Sequence, residues 1–312
     1  MLAGWDRTRD LPNVAAMTEN RWRALVARRP LITFFVLANA VSWLGWAPYI
    51  LSADGLGVLP YRLPELLGDT QLLGLMPGAY LGPLTAAFVV TAATEGREGL
   101  RQWRSRLVRF RVGWRWYAFT LLVFPAVLIA ATLALPGGLG AFQLPGIEFL
   151  PMIVAYLVMQ CLTSGLAEEP GWRDFALHRM QQRLHPLVAT VVLGVLWAIW
   201  HFPLFLTAWG GGAQASVLVQ FTLITIGLSI VISWIYNRAG NSLPMVILFH
   251  AAFNTVAGPG QRAFYPALDH QWSWSPVIGV WALAVVLLVA TRGRLGYDAT
   301  AVPRATAVPA HA

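Results

Sequence analysis

Glu168 and Glu169 stand side by side at the end of an apolar run that begins near Phe149, and Arg173 follows four residues later. Trp197 and His201 are four apart in a second apolar run, and His250 and Asn254 four apart in a third. A carboxylate, two imidazoles and a carboxamide are groups that could carry out proton-transfer chemistry if they meet. Such groups are costly in an apolar surrounding unless they find partners, so an acid inside a membrane run is a candidate for function. Spacing of four puts each pair on one helix face. Glu169 and Arg173 have the spacing of an ion pair, while Glu168 points about 100° away around the helix and is left for chemistry. The plain alternatives stay open at this point: the Glu pair as loop residues beyond a span, and each His as a packing residue.

These residues sit in a 312-residue chain that is 57% hydrophobic and 12% charged, with mean hydropathy +0.59. A soluble chain carries about 25% charged residues. The expected fold is therefore all-α, a polytopic membrane bundle of about eight helices. The apolar runs place spans over 31–51, 72–94, 116–135, 149–167, 186–205, 216–236, a short 243–256, and 276–291. Gly82-Pro83 predicts a kink in the second. Ala38-Asn39-Ala40 imitates a signal-peptidase site, but the run continues through Trp43 and Trp46, which favours a retained helix. The organisation read from this is a cytoplasmic tail over 1–30, a membrane domain over 31–291 with its motif-bearing core at 149–257, and an Ala/Pro-rich disordered tail over 292–312. Internal repeats and a separate soluble domain are not seen. Cys161 is the single cysteine, which excludes a disulfide within the chain and speaks against a redox or thiolate-metal role.

Every basic residue is Arg, and net charge is +8. With the N-terminus inside, the inner segments 1–30, 95–115, 169–185, 237–242 and the C-terminal tail hold almost all of them. The outer loops hold only Arg62 and Arg262. The bias puts both termini in the cytoplasm, and a bacterial plasma membrane is the expected location. Topology thus accounts for the basic charge without a nucleic acid partner; the partners expected are the lipid bilayer and a membrane-associated substrate. Within 95–115, seven Arg alternate with Trp103, Leu107, Val108 and Phe110, which predicts an amphipathic segment on an anionic membrane surface.

Depth is the difficulty. If the fourth span ends at Glu168, His201 lies about 22 Å away along the normal, at 1.5 Å per residue. A longer fourth helix, reaching Arg179 or Arg183, puts Glu168 about 16 Å deep, level with Asn254. On that reading Glu168, Arg173, His201, His250 and Asn254 share one buried polar cavity.

Glu168-Glu169-Pro170-Gly171-Trp172-Arg173 resembles the Glu-Glu-x-x-x-Arg motif of the CPBP intramembrane proteases, which include CAAX prenyl endopeptidases and bacteriocin-processing or immunity relatives. An aromatic-x-x-x-His motif at Trp197 to His201 and His-x-x-x-Asn at His250 to Asn254 follow in order. The resemblance covers roughly 149–257. The family's second motif usually begins with Phe, where this chain has Trp197. The resemblance implies an intramembrane endopeptidase that cuts a membrane-associated or lipidated protein or peptide. Carried over, Glu168 is the general base that activates water and His201 helps hold or polarise that water. His250 and Asn254 steady the oxyanion, and Glu169, Arg173 and Trp197 support them. Family members are commonly described as metalloproteases, and Glu168, His201 and His250 could form a three-ligand zinc site with an open position. Asn254 is a poor zinc ligand and His-Glu-x-x-His is absent, so a metal-free glutamate mechanism, which uses the same side chains, is favoured.

Other readings are weaker. A serine mechanism would need Ser164 or Ser242 beside a His, and neither lies in a nucleophile motif. Nucleotide-binding fingerprints are absent. The same cavity could bind a peptide, lipid or partner without cutting it, as an immunity or scaffold protein would. A proton-coupled transporter also uses intramembrane Glu and His, but inverted repeats are missing.

Overall fold

In lipid every backbone polar group must be satisfied within the protein, so runs of about 20 apolar residues become helices. The computed structural model describes residues 22–24, 26–64, 71–268 and 274–300. Among these it contains no strand and eight helices long and apolar enough to cross a membrane. They are α1 Pro30–Leu51, α2 Leu72–Thr94, α4 Trp114–Leu133, α5 Phe149–Gln181, α6 Pro186–Leu206, α7 Ala215–Arg238, α8 Leu243–Phe264 and α9 Trp274–Thr291. Between α2 and α4 lies α3, Gly96–Leu107. The protein is an integral membrane helical bundle.

Six spans fall close to the expected limits, while the seventh, expected to be short over 243–256, runs on to Phe264 as α8. The fourth also departs: α5 is 33 residues long and carries the Glu pair, Arg173 and Asp174 inside the helix. Arg173 therefore belongs to the bundle interior and not to an inner loop. α1 packs into the bundle. Trp43 Nε1 donates to Trp200 O at 3.0 Å, Trp200 Nε1 donates to Ser42 Oγ at 2.7 Å, and the Trp46 and Trp200 rings lie 4.6 Å apart.

Several spans contain π-helical turns, three of which hold a proline: Tyr80–Leu84, Pro170–Leu177 and Val256–Gly260. Proline removes the N–H that would bond to the carbonyl four residues back, and a wider turn relieves the clash. The kink expected at Gly82-Pro83 takes this form. Close packing of α2 on α5 depends on Gly171, where a Cβ would lie 2.6 Å from both Cβ and O of Pro83. In a bundle without a hydrophobic driving force between helices, such small-residue contacts are what let backbones approach.

The basic 95–115 segment forms α3 and an extended stretch, with Val108, Phe110 and Trp114 exposed. Two of its arginines turn inward. Arg106 forks onto Asp174 of α5 at 2.5 and 3.0 Å, and Arg109 donates to the Gly240 carbonyl. Past α9 the chain is not wholly a tail: Leu295 is buried against Ile230 and Ala284, and Asn237 donates to its carbonyl at 3.0 Å. Residues 1–21 and 301–312, which hold most of the expected tails, lie outside the described residues.

Candidate active site

α5 places three acids within seven residues, and the surrounding helices give each a different environment. Glu169 is fully buried and accepts from Arg173 Nη1 at 3.1 Å and from His250 Nδ1 at 2.8 Å. The Arg173 guanidinium also lies over the Trp197 ring, 4.2 Å from its centroid, and reaches Ser229 Oγ at 3.4 Å. Asp174 accepts from Arg106 and from Tyr236 Oη, the latter at 2.6 Å. Glu168 accepts one hydrogen bond, from Trp197 Nε1 to Oε2 at 2.7 Å.

His201 Nε2 lies 4.0 Å from that same Glu168 Oε2. The other ring nitrogen, Nδ1, is 2.9 Å from the Trp197 carbonyl. A carbonyl only accepts, so Nδ1 carries the hydrogen and Nε2 presents its lone pair. Two acceptors bonded to one water sit about 4–4.5 Å apart, so the spacing suits a water that gives one hydrogen to each. His250, with Nδ1–H donated to the Glu169 carboxylate, can donate from Nε2 only as the imidazolium.

Glu168, Trp197, His201, His250 and Asn254 all line one cavity of about 370 Å³. The long α5 is what brings the Glu to the depth of the two His. Arg173 does not line this cavity; it lies sealed behind Glu169 and Trp197, because its charge is matched there and not by water. Trp197 also does more than a phenyl ring could, since its indole N–H is the one hydrogen-bond donor to Glu168 among the described residues.

Gln160 and Ser164 join the site. Asn254 Nδ2 donates to Gln160 Oε1 at 2.9 Å and to Ser164 Oγ at 3.0 Å, and Ser164 Oγ donates to Gln160 Oε1 at 2.6 Å. Both amide hydrogens of Asn254 are thus engaged, and one must be released before it can meet an oxyanion. The signal in the sequence is the stripe Gln160, Ser164, Glu168 at intervals of four. Among the described residues neither serine considered as a nucleophile hydrogen-bonds to a histidine: Ser164 serves Gln160, and Ser242 caps α8 and donates to the Arg109 carbonyl.

A metal implied by the family would fall on Glu168, His201 and His250. Among the described residues no three His, Cys, Asp or Glu side chains gather as a metal-holding group. His250 and His201 commit Nδ1 to Glu169 and to the Trp197 carbonyl, as a metal-holding histidine does, and leave Nε2 as the atom that would hold the ion, with His201 Nε2 4.0 Å from Glu168 Oε2. In this arrangement the three side chains are not drawn together as a compact three-ligand group.

The Rce1-like family model, described as type II CAAX prenyl endopeptidase, matches residues 150–256. This is the segment that carries all three motifs. A CAAX prenyl protease 2 of Methanococcus maripaludis is 25% identical over 199 residues, which cover 59% of this chain and 70% of that protein. Fold and matches together support an integral membrane peptidase. The family they support is the CPBP proteases, which is the resemblance the motifs carry.

Proposed function

We propose that the protein is an intramembrane endopeptidase in which Glu168 acts as general base on a water held between its Oε2 and His201 Nε2. The observation that carries this reading is the 4.0 Å separation of those two acceptors at the wall of a buried cavity. Glu168 takes a proton from the water as its oxygen attacks the scissile carbonyl. The tetrahedral oxyanion is met by His250, held in place by Glu169, and by an Asn254 hydrogen released from Ser164 or Gln160. Glu168 then returns the proton to the leaving amine, so no net proton is consumed. Arg173 holds Glu169 in place, and Trp197 fixes the Glu168 carboxylate. No step runs through a metal. The substrate class is a membrane-associated or lipidated protein or peptide, both termini are cytoplasmic, and the membrane is a bacterial plasma membrane.

The test compares new peptide termini in membranes of cells expressing the wild type with those expressing Glu168→Gln, which keeps the size and removes the base. Termini seen only with the wild type are expected. Identical termini with both proteins folded and equally abundant would transfer the site to a binding or immunity role.

A further inference from the structure

The chain alternates direction at each span, so the Arg-rich face fixes which end of every helix is which. α1 leaves that face at Pro30, and α6 leaves it at Pro186. The catalytic cavity is lined by the opposite ends: Trp46 late in α1, Leu72 at the start of α2, Tyr156 early in α5, Trp209 just after α6 and Gly258 late in α8. His201 lies five residues before the far end of α6, about 7–8 Å, and fifteen residues from the Arg-rich end, about 22 Å.

The two ends of the chamber differ. Toward the Arg-rich face every residue of Pro170–Leu177 is buried. The rings of Trp172 and Phe175 pack on Phe34 at 5.5 and 4.8 Å, and Asp174 is clamped by Arg106 and Tyr236. Toward the other face burial lessens, and Tyr156, Trp209 and Gly258 are all partly exposed. A second cavity, about 840 Å³, is lined there by Glu148, Met152 and Arg262, and it shares Tyr156 and Gly258 with the catalytic one. It forms a vestibule.

We propose that the catalytic chamber is filled from the membrane face opposite the Arg-rich one, through the vestibule that passes Tyr156 and Gly258, and that the bond cut lies in a non-cytoplasmic, membrane-adjacent segment of an anchored protein or peptide. The substrate half rests on the peptidase reading; the side of access stands without it. A cytoplasmic lipidated tail would meet the packed Pro170–Leu177 end instead.

The experiment uses the full chain with Cys161→Ser as background and a membrane-impermeant methanethiosulfonate ammonium reagent. Ala257→Cys (chamber), Arg262→Cys (vestibule) and Arg104→Cys (α3) are each labelled in right-side-out and inside-out vesicles. Ala257→Cys and Arg262→Cys should react at least tenfold faster in right-side-out vesicles, and Arg104→Cys at least tenfold faster in inside-out ones. The reverse order for Arg104→Cys, faster labelling of Ala257→Cys from the inside-out side, or no labelling of Ala257→Cys from either side would each overturn the access route. None of these readouts depends on cleavage. If the access route holds and the Glu168-dependent termini map to cytoplasmic segments, the substrate half alone is overturned.

Discussion

Replacing Arg173 by Met should destabilise the protein severely, and a second substitution should undo most of the damage. Arg173 is fully buried, pairs with Glu169 at 3.1 Å and lies over Trp197. Met keeps much of the length and apolar stem but leaves the Glu169 carboxylate, also fully buried, facing His250 alone. Breaking one partner of a buried ion pair costs about 3–5 kcal/mol, because the other charge stays unmatched. At about 2–4 °C per kcal/mol this is a fall of roughly 6–20 °C in melting temperature. Arg173→Met with Glu169→Gln removes both charges, and Gln can still accept from His250, so most of the loss should return. The assay is thermal unfolding of the purified protein in detergent for wild type, both single variants and the double. A double variant no more stable than Arg173→Met would refute the reasoning, since the cost would then come from lost packing on Trp197 and not from the stranded carboxylate.

Ser164→Ala frees one Asn254 hydrogen while Gln160 still holds the other, so kcat should not fall and KM should be unchanged; a tenfold fall in kcat would refute release of that hydrogen as a step, and complete loss of cleavage would revive the serine mechanism. Gly171→Ala pushes a methyl against Pro83 of α2, and overpacking of this kind costs about 1–3 kcal/mol; a wild-type melting temperature would mean the two helices part freely. Trp197→Phe keeps a ring under Arg173 and deletes the indole donor to Glu168. Unfolding free energy in detergent should fall by about 1.5–3 kcal/mol, the range for a hydrogen bond to a charged group, and an unchanged value would show that the bond contributes nothing.

Most of the membrane architecture was legible because lipid demands long apolar runs, and those are visible without partners. The exception was informative. The inner half of α5 carries Glu168, Glu169, Arg173 and Asp174, so by hydropathy it looks like a loop; only the need to bring Glu168 level with His201 argued for a longer helix, and α5 does extend to Gln181. Spacing of four marked Glu169–Arg173 and His250–Asn254 because helix faces are local. Asp174–Arg106 carries no such mark: its partners are 68 residues apart, and Arg106 looked like one more interfacial arginine. At Trp197 the sequence shows an aromatic ring in place of Phe but not the direction of its N–H, which is what ties it to Glu168. Gln160 and Ser164 were missed as partners of Asn254, since their shared stripe with Glu168 gains meaning only when α8 packs against it.

The contrast among the three acids of α5 is the strongest physical reason to place the chemistry at Glu168. A buried carboxylate is tolerated where opposite charge and hydrogen bonds replace water. Glu169 has two such partners, Arg173 and His250. Asp174 has a two-pronged arginine and a tyrosine hydroxyl. Both have an arginine fixed against them and neither lines the catalytic cavity, although Glu169 Oε2 is buried without a hydrogen bond among the described residues. Glu168 has a single neutral donor and turns toward open space that also holds an uncommitted imidazole lone pair. A membrane bundle has little reason to keep an acid so incompletely matched unless the missing partner is a molecule that comes and goes, and a water caught between Glu168 and His201 meets that description better than any side chain nearby.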